Sequence, residues 1–544
     1  MTFMKNPVLF LGLAFFILLI GLGSWGLTES SEARYAEIGH EVYTSGDYLH
    51  PTQLGIRHYH KPPMTYYITS LGYSIFGANE FGARFFLSVA FILQLVLIWK
   101  ISLLLFNDRQ KALAAALIYF GIPLALLSVR ILTTDAYLNT FALAAVYFFI
   151  HHRTYQKTWS VYAFYLVWGL GFLTKGPAVL IPVGAFIFFW KWMHWERIYI
   201  SIHSILAGIL CLMLSTSWYL LVTLDNPAFL EYFIGEQILG RAVSAGSLNR
   251  AKPFWYYLAF APLVALPWLP FVGWALFRFR KNLKKQQPLI LVVSLTALAI
   301  LLFYSVVSSK LIFYVLPMFP FVALLAGYYL PEVTDKTRSV LSRILLGLTL
   351  LIGLGMGFVN LAPNFYMPLG YGIVFGLLSV GALLFLIRNF REVDLNRTLG
   401  LSVLFGIQVI WGYALVGRFN PNPVRTFKEL AQVVQKMDST SQRPVVVYNF
   451  WGPSIAFYLE NKLITVKEGT KRIDPEVQFE ANNAYRQYHI DTDLPGESDR
   501  LLQLIQEKNP ILIFLTHDAI PNPISQKLSG KKTQELYNKY IIYY

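Results

Sequence analysis

The chain has 544 residues, of which 56% are hydrophobic and only 14% are charged, and its formal net charge is +15. A soluble domain usually carries about 25% charged residues, so this composition excludes an ordinary soluble protein and indicates a protein that crosses a membrane several times. The excess of Lys and Arg does not indicate nucleic acid as a partner, because most of these residues lie in short loops between apolar runs.

Near-uncharged runs of about 18 to 22 residues, each long enough to cross a bilayer, recur as far as Val416. The first run follows a short basic start and shows no small-residue cleavage site, so we expect it to be retained as a helix. About thirteen transmembrane helices are predicted, and they begin near Pro7, Phe81, Ala112, Asp135, Ser160, Gly176, Tyr199, Trp255, Pro288, Leu311, Val340, Met367 and Thr398.

The distribution of Lys and Arg predicts the orientation of these helices. Basic residues concentrate in one set of short loops, which includes residues 278–285, and this set is expected to face the cytoplasm. The N-terminus would then be cytoplasmic, and residues 28–80, residues 225–254 and everything after Arg418 would face outside. The sequence therefore predicts a multi-pass protein of the inner (plasma) membrane with two long outer segments.

Residues 419–544 are predicted to form a small extracytoplasmic α/β domain that follows a membrane domain of residues 1–418. Helical patterns alternate with apolar runs typical of buried strands, which suggests a small and partly parallel sheet. The predicted helices cover residues 425–437 and 453–460, and the predicted strands cover residues 444–450, 462–466 and 510–516. No glycine-rich phosphate motif occurs there, so we expect a docking or acceptor-positioning domain.

Polar side chains near the outer helix ends are candidate functional residues, because ionisable groups at membrane depth are costly. The first outer segment opens with TESSEARYAEIGHEVYTSGDY, which predicts a helix on the membrane surface that begins at Ser30 or Ser31. Glu32 and Arg34 of this helix either belong to a solvated charged face or point into a pocket, and the sequence leaves both alternatives open.

The same segment ends in RHYHKPPMTYY, where two prolines restrict the backbone beside His60 and Lys61. Lysine is a usual partner of phosphate. His60 is suited either to hydrogen bonding or to binding a metal as a neutral imidazole. Arg57 and His58 receive no predicted role.

The remaining candidates lie at other helix ends and in the second outer segment. Asp135 falls in the first turn of a helix that Thr133 or Thr134 is expected to cap, where an acid also suits the helix dipole. The others are Lys175, Glu236, Gln237, Arg241 and Lys310. Several of these side chains have the alternative role of interfacial anchors, but acids and cations together near the bilayer suit a lipid-linked phosphate.

Taken in order, these motifs resemble the bacterial aminoarabinose transferases and the protein-mannosyltransferase-like (dolichyl-phosphate-mannose-protein mannosyltransferase) glycosyltransferases. The resemblance covers the chain as far as about Arg418, and the ordered set of motifs is specific although each motif alone is weak. It rests on SSEARYA, SGDY, HKPP, Asp135, LTKGP, EYFIGEQILGR, PFWYYL, LPWLP and KLIFYVLPMFPFVALLAG.

The resemblance implies a GT-C fold with an active site on the outer face. It implies transfer of a sugar, with inversion, from a polyprenyl-phosphate carrier to a lipid A-like lipid or to another envelope glycan or protein. The expected donor-phosphate ligands are the family cations Arg34, Lys61 and Arg241, to which we add Lys175 and Lys310. The candidate catalytic acids are Glu32 and Asp135.

Three positions depart from the family pattern. Ser31 stands where relatives have the first acid of Asp-Glu-x-Arg-Tyr-Ala, and Gln237 stands where they usually have a histidine. His60 replaces an acid that can bind a metal in relatives, so a divalent metal at His60 or Glu236 stays an open expectation. If the acceptor is already a phosphate, no catalytic base is needed, and the loss of the first acid matters less.

Two other classes of function stay open on the sequence. A transporter or flippase of lipid-linked glycans would also be basic and multi-pass, but inverted repeats and helices broken at corresponding positions are not evident. A scaffold with a decayed site would account for Ser31 and Gln237. The long outer segments and the outer tail favour an enzyme that works at the membrane surface.

Overall fold

The computed structural model describes residues 7–29, 31–194, 201–240, 252–280, 288–389, 395–469 and 475–544. The chain forms two compact units. Unit one comprises Met1–Leu22, Arg84–Leu221 and Leu230–Val416, and unit two comprises Gly23–Ala83, Val222–Phe229 and Gly417–Tyr544.

Helices make up unit one and part of unit two. In chain order they are α1 Pro7–Leu19, α2 Ser31–Ser45, α3 Met64–Phe76, α4 Glu80–Phe106, α5 Arg109–Phe120, α6 Pro123–Leu127, α7 Thr134–Tyr155, α8 Thr158–Lys175, α9 Leu180–His194, α10 Ile202–Asp225, α11 Ala228–Tyr232, α12 Tyr256–Val264, α13 Trp268–Arg278, α14 Pro288–Val306, α15 Phe319–Tyr329, α16 Asp335–Gly355, α17 Leu369–Asn389, α18 Leu395–Phe419, α19 Pro421–Val424, α20 Lys428–Met437, α21 Pro453–Tyr458, α22 Glu497–Lys508 and α23 Asn522–Leu528.

Shorter helical turns and strands complete the chain. The 3₁₀ turns are Gly176–Val179, Ile312–Met318, Met356–Leu361, Val477–Phe479 and Ala484–Gln487, and one π-helical turn covers Phe233–Gly240. The strands are β1 Thr52–Gln53, β2 Ile56–Arg57, β3 Val445–Tyr448, β4 Leu463–Lys467, β5 His489–Asp491, β6 Ile511–Leu515, β7 Thr533–Leu536 and β8 Tyr540–Tyr543.

Among the residues described, eight helical runs are long and apolar enough to cross a membrane, or nine if α12 and α13, which meet at 105°, form one span. This finding confirms a multi-pass helical membrane protein. The eight runs are Glu80–Phe106, Thr158–His194, Ile202–Asp225, Pro288–Val306, Ile312–Tyr329, Asp335–Leu361, Leu369–Arg388 and Leu395–Phe419. The spans predicted near Pro7, Ala112 and Asp135 are helices in the structure but are not among these eight.

The run that contains α8 and α9 folds back on itself at Gly176, whose φ of +62° is a conformation that glycine adopts readily. Lys175, at the end of α8, contacts Asp135 at the start of α7. Trp190, near the end of α9, contacts Phe149 in the last third of α7, with ring centroids 5.8 Å apart. α9 therefore returns along α7, and the tight turn predicted at LTKGP is present.

A buried hydrogen-bond network joins α4, α5 and α7 in unit one. The amide of Gln94 donates to Ala136 O at 3.0 Å and to Thr140 Oγ1 at 2.8 Å. Tyr119 donates to Gln94 Oε1 at 2.6 Å, and Asn139 donates to the Tyr119 hydroxyl at 3.0 Å. Because a buried polar group without a partner is costly, the network favours one arrangement of these three helices.

Two fully buried arginines satisfy carbonyl groups at the end of α1. Arg130 donates to Leu18 O at 2.7 Å and to Ile20 O at 3.1 Å. Arg84 donates to Leu22 O at 3.0 Å. The last carbonyls of a helix have no partner within the helix, so these guanidinium groups replace the hydrogen bonds that water would supply elsewhere.

Unit two contains a mixed six-stranded sheet with the order β5-β4-β3-β6-β8-β7. β3 pairs in parallel with β4 and with β6, and β4 pairs in parallel with β5. β8 pairs antiparallel with both β6 and β7. The three predicted strands, the two predicted helices and the partly parallel arrangement are confirmed. β5, β7 and β8 were not predicted, and β7, with the sequence TQEL, is mostly exposed at the sheet edge.

Successive side chains of β3 point to opposite faces, so each face of the sheet has its own core. Val445 and Val447 pack on the side of α20 with Leu430 and Val434. The opposite face packs against α22 and α23. Both faces are covered, which is why β3 and β6 are continuous apolar runs.

The helix predicted in the first outer segment is present as α2. Its apolar residues Ile38 and Val42 are buried against Tyr66 of α3. Gly39 lies so close to α3 that an added Cβ would meet Thr69 at 2.8 Å. The apolar face of α2 therefore packs on protein, and its predicted position at the membrane surface stays a prediction.

The Gln94 network yields a stability prediction. Replacing Asn139 with Ala leaves polar atoms of Gln94 and Tyr119 with fewer partners, so we expect a loss of about 1–3 kcal/mol. The measurement is the apparent melting temperature of the purified protein in detergent. The control is Asn422→Ala, at an exposed side chain, and equal melting temperatures for the two variants would contradict the role assigned to the network.

Candidate functional site

Asp135 and Lys175 form a buried ion pair in unit one. Lys175 Nζ lies 2.5 Å from Asp135 Oδ1, and the two side chains are only 11% and 10% exposed. Asp135 lies in the first turn of α7, where Thr133 Oγ1 accepts a hydrogen bond from its backbone N–H at 3.4 Å. This confirms the predicted cap, and the turn at Gly176 brings Lys175 to the same end of α7.

Aromatic side chains surround this pair. Lys175 Nζ lies 4.4 Å from the centre of the Tyr314 ring, within range of a cation–π interaction. The Tyr304 ring contacts Tyr314, with centroids 6.0 Å apart. Chemically, the arrangement offers one carboxylate and one ammonium group among phenol rings, which suits the binding of a polar group that carries an anion or a transferable proton.

Lys310 is also buried in unit one, although it lies between two predicted spans. Its ammonium group donates to Val307 O at 2.5 Å and to Lys252 O at 3.1 Å. An ammonium group has three N–H donors, and these two carbonyls among the described residues account for two of them. Nearby, the Tyr257 hydroxyl donates to Leu311 O at 2.7 Å and holds the segment that follows Lys310.

The second predicted outer segment includes a π-helical turn over Phe233–Gly240, a rare conformation that often occurs at functional sites. Glu236 is exposed on this turn. Gln237 donates to the Tyr232 hydroxyl at 2.7 Å. Arg241, a predicted phosphate ligand, lies outside the described residues.

The predicted acid Glu32 lies in unit two and is 1% exposed. Its Oε2 accepts the backbone N–H of Thr28 at 2.9 Å, so it satisfies a donor at the start of α2. Glu29 nearby accepts the N–H of Ser454 at 2.8 Å. Burial raises the pKa of Glu29 to about 7, while its hydrogen bonds with Ser454 and the charges of Arg34 and Arg425 oppose that rise.

Two more carboxylates of α2, Glu37 and Glu41, lie one turn apart and hydrogen bond with each other. Glu41 also accepts the N–H of Gly55 at 3.0 Å. Burial raises the pKa of each of the two to about 8. The group of acids in SSEARYAEIGHE is therefore largely inside unit two and is not a solvated charged face.

The RHYHKPP segment is held by two acids from the tail. The backbone N–H of Arg57 donates to Glu480 Oε1 at 2.6 Å, and that of Tyr59 donates to Glu476 Oε2 at 2.7 Å. The Arg57 side chain forms an ion pair with Asp225 at 2.9 Å. These contacts fix the backbone immediately before Lys61, which is partly buried.

Two histidines of the same segment meet Glu476. His60 Nε2 hydrogen bonds with Glu476 Oε1, and His58 Nδ1 lies 3.9 Å from Glu476 Oε2. The three candidate ligand atoms all lie within 4.8 Å of one another. Imidazole and carboxylate are common ligands of zinc and other divalent metals, so these residues fit a metal site. Within the described parts of the chain, no other three such side chains come so close, and Glu236 belongs to no such group.

Neither His58 nor Glu476 was among the site residues predicted from the sequence. His58 carries a local signal, because residues two apart in an extended chain point to the same side, and His58 and His60 have that spacing. Glu476 carries no comparable signal, since it is far away in the chain and is recognised only by its contacts.

Comparison with known proteins agrees with this architecture. Residues 60–220 match the family described as dolichyl-phosphate-mannose-protein mannosyltransferase. The chain is 29% identical over 371 residues to undecaprenyl phosphate-alpha-4-amino-4-deoxy-L-arabinose arabinosyl transferase 2 of Pseudomonas fluorescens. This match covers 66% of this chain and 65% of the relative. It is 31% identical over 351 residues to undecaprenyl phosphate-alpha-4-amino-4-deoxy-L-arabinose arabinosyl transferase 1 of Sodalis glossinidius. This match covers 62% of this chain and 61% of the relative.

The matched segment therefore spans less than two thirds of each of these relatives. The fold agrees over nearly the whole chain with the crystal structure of ArnT from Cupriavidus metallidurans bound to undecaprenyl phosphate. The TM-score is 0.78 at 20% identity, over 98% of this chain and 97% of ArnT.

The fold is that of a multi-pass GT-C membrane protein with a small C-terminal sheet domain, as predicted. Within this class, the matched part of the chain is similar in sequence to the undecaprenyl phosphate-aminoarabinose transferases named above.

The buried acids of α2 predict a dependence of stability on pH. A carboxyl group whose pKa is raised by folding binds its proton more tightly in the folded state, so stability falls as the pH rises from about 4.5 towards about 8. We expect Glu37→Gln to melt with a smaller decrease between pH 5.5 and pH 8.5 than the unmodified protein. The control is Glu460→Gln, at an exposed acid, and equal decreases in both variants would contradict the burial of Glu37.

Proposed function

We propose that this protein is an integral membrane glycosyltransferase that moves a sugar from a polyprenyl-phosphate donor to a lipid A-like lipid or another envelope acceptor. The observation that carries the proposal is the sequence similarity to undecaprenyl phosphate-aminoarabinose transferases over 351 and 371 residues. The crystal structure that shares the fold holds undecaprenyl phosphate, which supports a polyprenyl phosphate as the carrier.

The proposed location is the inner membrane, with the N-terminus in the cytoplasm and residues 419–544 in a domain outside it. The concentration of Lys and Arg in one set of loops supports this orientation. Reaction would then occur at the outer surface, on residues 28–80, residues 225–254 and the outer ends of the helices that carry Asp135 and Lys175.

In the proposed reaction, the leaving group is the polyprenyl phosphate, which gains negative charge as the bond to the sugar breaks. Arg34 and Lys61 would stabilise this charge, an electrostatic effect that often dominates catalysis. Lys175, Lys310 and Arg241 are the further proposed cations. The backbone before Lys61 donates hydrogen bonds to Glu476 and Glu480. These hydrogen bonds support a fixed direction for the Lys61 side chain.

The choice of base depends on the acceptor. If the acceptor is a hydroxyl group, Glu32 or Asp135 would take its proton. Both are buried, and Glu32 accepts the N–H of Thr28 whereas Asp135 is paired with Lys175. If the acceptor is a phosphate, neither acid is required, and Asp135 would serve to orient Lys175 through their ion pair.

We also propose that His58, His60 and Glu476 hold one divalent metal ion. Their ligand atoms converge within 4.8 Å, and an ion there would link the segment before Lys61 to the tail. Metal would then support the position of Lys61, in addition to the backbone hydrogen bonds.

The assignment of the phosphate ligands predicts the activity of two variants. Loss of one charge-assisted contact to the phosphate should cost about 1.5–3 kcal/mol, so Lys61→Ala and Arg34→Ala should each lower turnover about tenfold or more. The measurement uses purified protein, a labelled polyprenyl-phosphate sugar and extracted acceptor lipid. Lys436→Ala, at an exposed lysine in unit two, is the control and should keep full turnover.

The same assay distinguishes an enzyme from a flippase. In detergent solution there is only one compartment, so a labelled acceptor can arise only by transfer of the sugar. No transfer from any donor, combined with protein-dependent flipping of the lipid in liposomes, would favour a transporter. Full turnover in both Lys61→Ala and Arg34→Ala would refute the assignment of the phosphate ligands while leaving the transferase function intact.

The proposed metal site predicts bound metal in the purified protein. Elemental analysis should detect about one divalent ion per chain, and His60→Ala and Glu476→Gln should lose most of it, since each removes one of only three ligands. His50→Ala, which removes a histidine of the same segment outside the cluster, should keep its metal. Equal metal content in all four proteins would rule the site out.

A further inference from the structure

A cavity of about 410 Å³ lies within unit one, between α7, α8, α9 and the start of α10. Its walls include the aromatic side chains Phe149, Phe164 and Trp168. The volume lies in the range of cavities that bind small molecules or parts of lipids.

α7 carries Asp135 at one end and lines the cavity at the other, so the cavity is far from the Asp135–Lys175 pair. Asp135 lies in the first turn of α7, and Arg153, which lines the cavity, lies in its last turn. At 1.5 Å per residue, these two positions are about 27 Å apart along the helix, which is close to the thickness of the hydrocarbon core. The cavity therefore lies at the opposite end of α7 from the pair.

Basic side chains line the cavity beside the aromatic ones. Arg153 and Lys191 both line it, together with His152, and none of the described lining residues is Asp or Glu. The hydroxyl groups of Ser160 and Ser204 are further polar groups on the lining. The cavity thus combines two positive charges with an apolar wall, a combination that complements an anionic headgroup attached to an acyl chain.

We propose that this cavity binds one anionic phospholipid of the membrane. The headgroup phosphate contacts Arg153 and Lys191, and one acyl chain packs against Phe149, Phe164 and Trp168. A soluble anion would leave the aromatic wall uncovered, and a zwitterionic lipid would add a cation beside Arg153 and Lys191. The site is separate from the proposed donor site, so it goes beyond the proposed function and does not depend on it.

The test is native mass spectrometry of the purified full-length protein in detergent, titrated with phosphatidylglycerol and with phosphatidylcholine of the same acyl chains. We expect one phosphatidylglycerol to bind selectively, because the two cations favour an anionic headgroup. Arg153→Gln/Lys191→Gln should weaken this binding about tenfold or more, since it removes two charge-assisted contacts. The matched control, Lys100→Gln/Lys157→Gln, removes two exposed cations that do not line the cavity and should bind as the unmodified protein does.

A second variant tests the volume of the cavity without changing its charge. Ser204→Trp should fill part of the cavity and also abolish selective binding, while gel filtration confirms that each variant is folded. Equal binding of the two phospholipids, or unchanged binding in both cavity variants, would overturn the proposal. Displacement of phosphatidylglycerol by an equal concentration of undecaprenyl phosphate would overturn it as well, because the cavity would then be a site for the donor lipid.

Discussion

Polar groups among apolar helices must find partners inside the protein, because the hydrocarbon of a membrane offers none. In unit one this constraint accounts for the contacts of its buried polar residues. Arg84 and Arg130 donate hydrogen bonds to backbone carbonyls at the end of α1. The Gln94 network joins α7 to α4 and α5 by hydrogen bonds. α7 in turn carries Asp135, so the ion pair with Lys175 depends on helix packing that the polar network stabilises. A change in that network is therefore expected to disturb the candidate site from a distance.

Buried backbone groups in unit two also need partners, and carboxylates serve as their acceptors. Glu476 and Glu480 accept backbone N–H groups of the segment that leads to Lys61, and Glu29 accepts one from α21. The tail was expected to be a docking domain without chemistry of its own. It nevertheless supplies Glu476 to the cluster with His58 and His60. If the proposed metal binds there, the tail contributes directly to the position of a proposed phosphate ligand.

α7 separates two kinds of polar chemistry. Its first turn carries an acid paired with a buried lysine, whereas its last turn carries Arg153 at a cavity whose described lining residues include no acid. The first arrangement suits a reaction in which a phosphate leaves and a proton is transferred. The second suits the binding of an anionic lipid. The two proposals therefore place reactant lipid and structural lipid at opposite ends of α7.

Local patterns in the sequence were enough to predict the class of fold, the apolar helices, the turn at LTKGP, the cap at Thr133 and three strands of the tail. Each of these features depends on residues within a few positions of one another. β7 was missed because an exposed edge strand such as TQEL has no apolar alternation. The partners of the polar residues were decided only by the tertiary structure. Nothing near His60 in the chain indicates Glu476, and nothing near Arg130 indicates the end of α1, because hydrogen bonds and ion pairs form between whichever groups the packed helices and strands bring within about 3 Å.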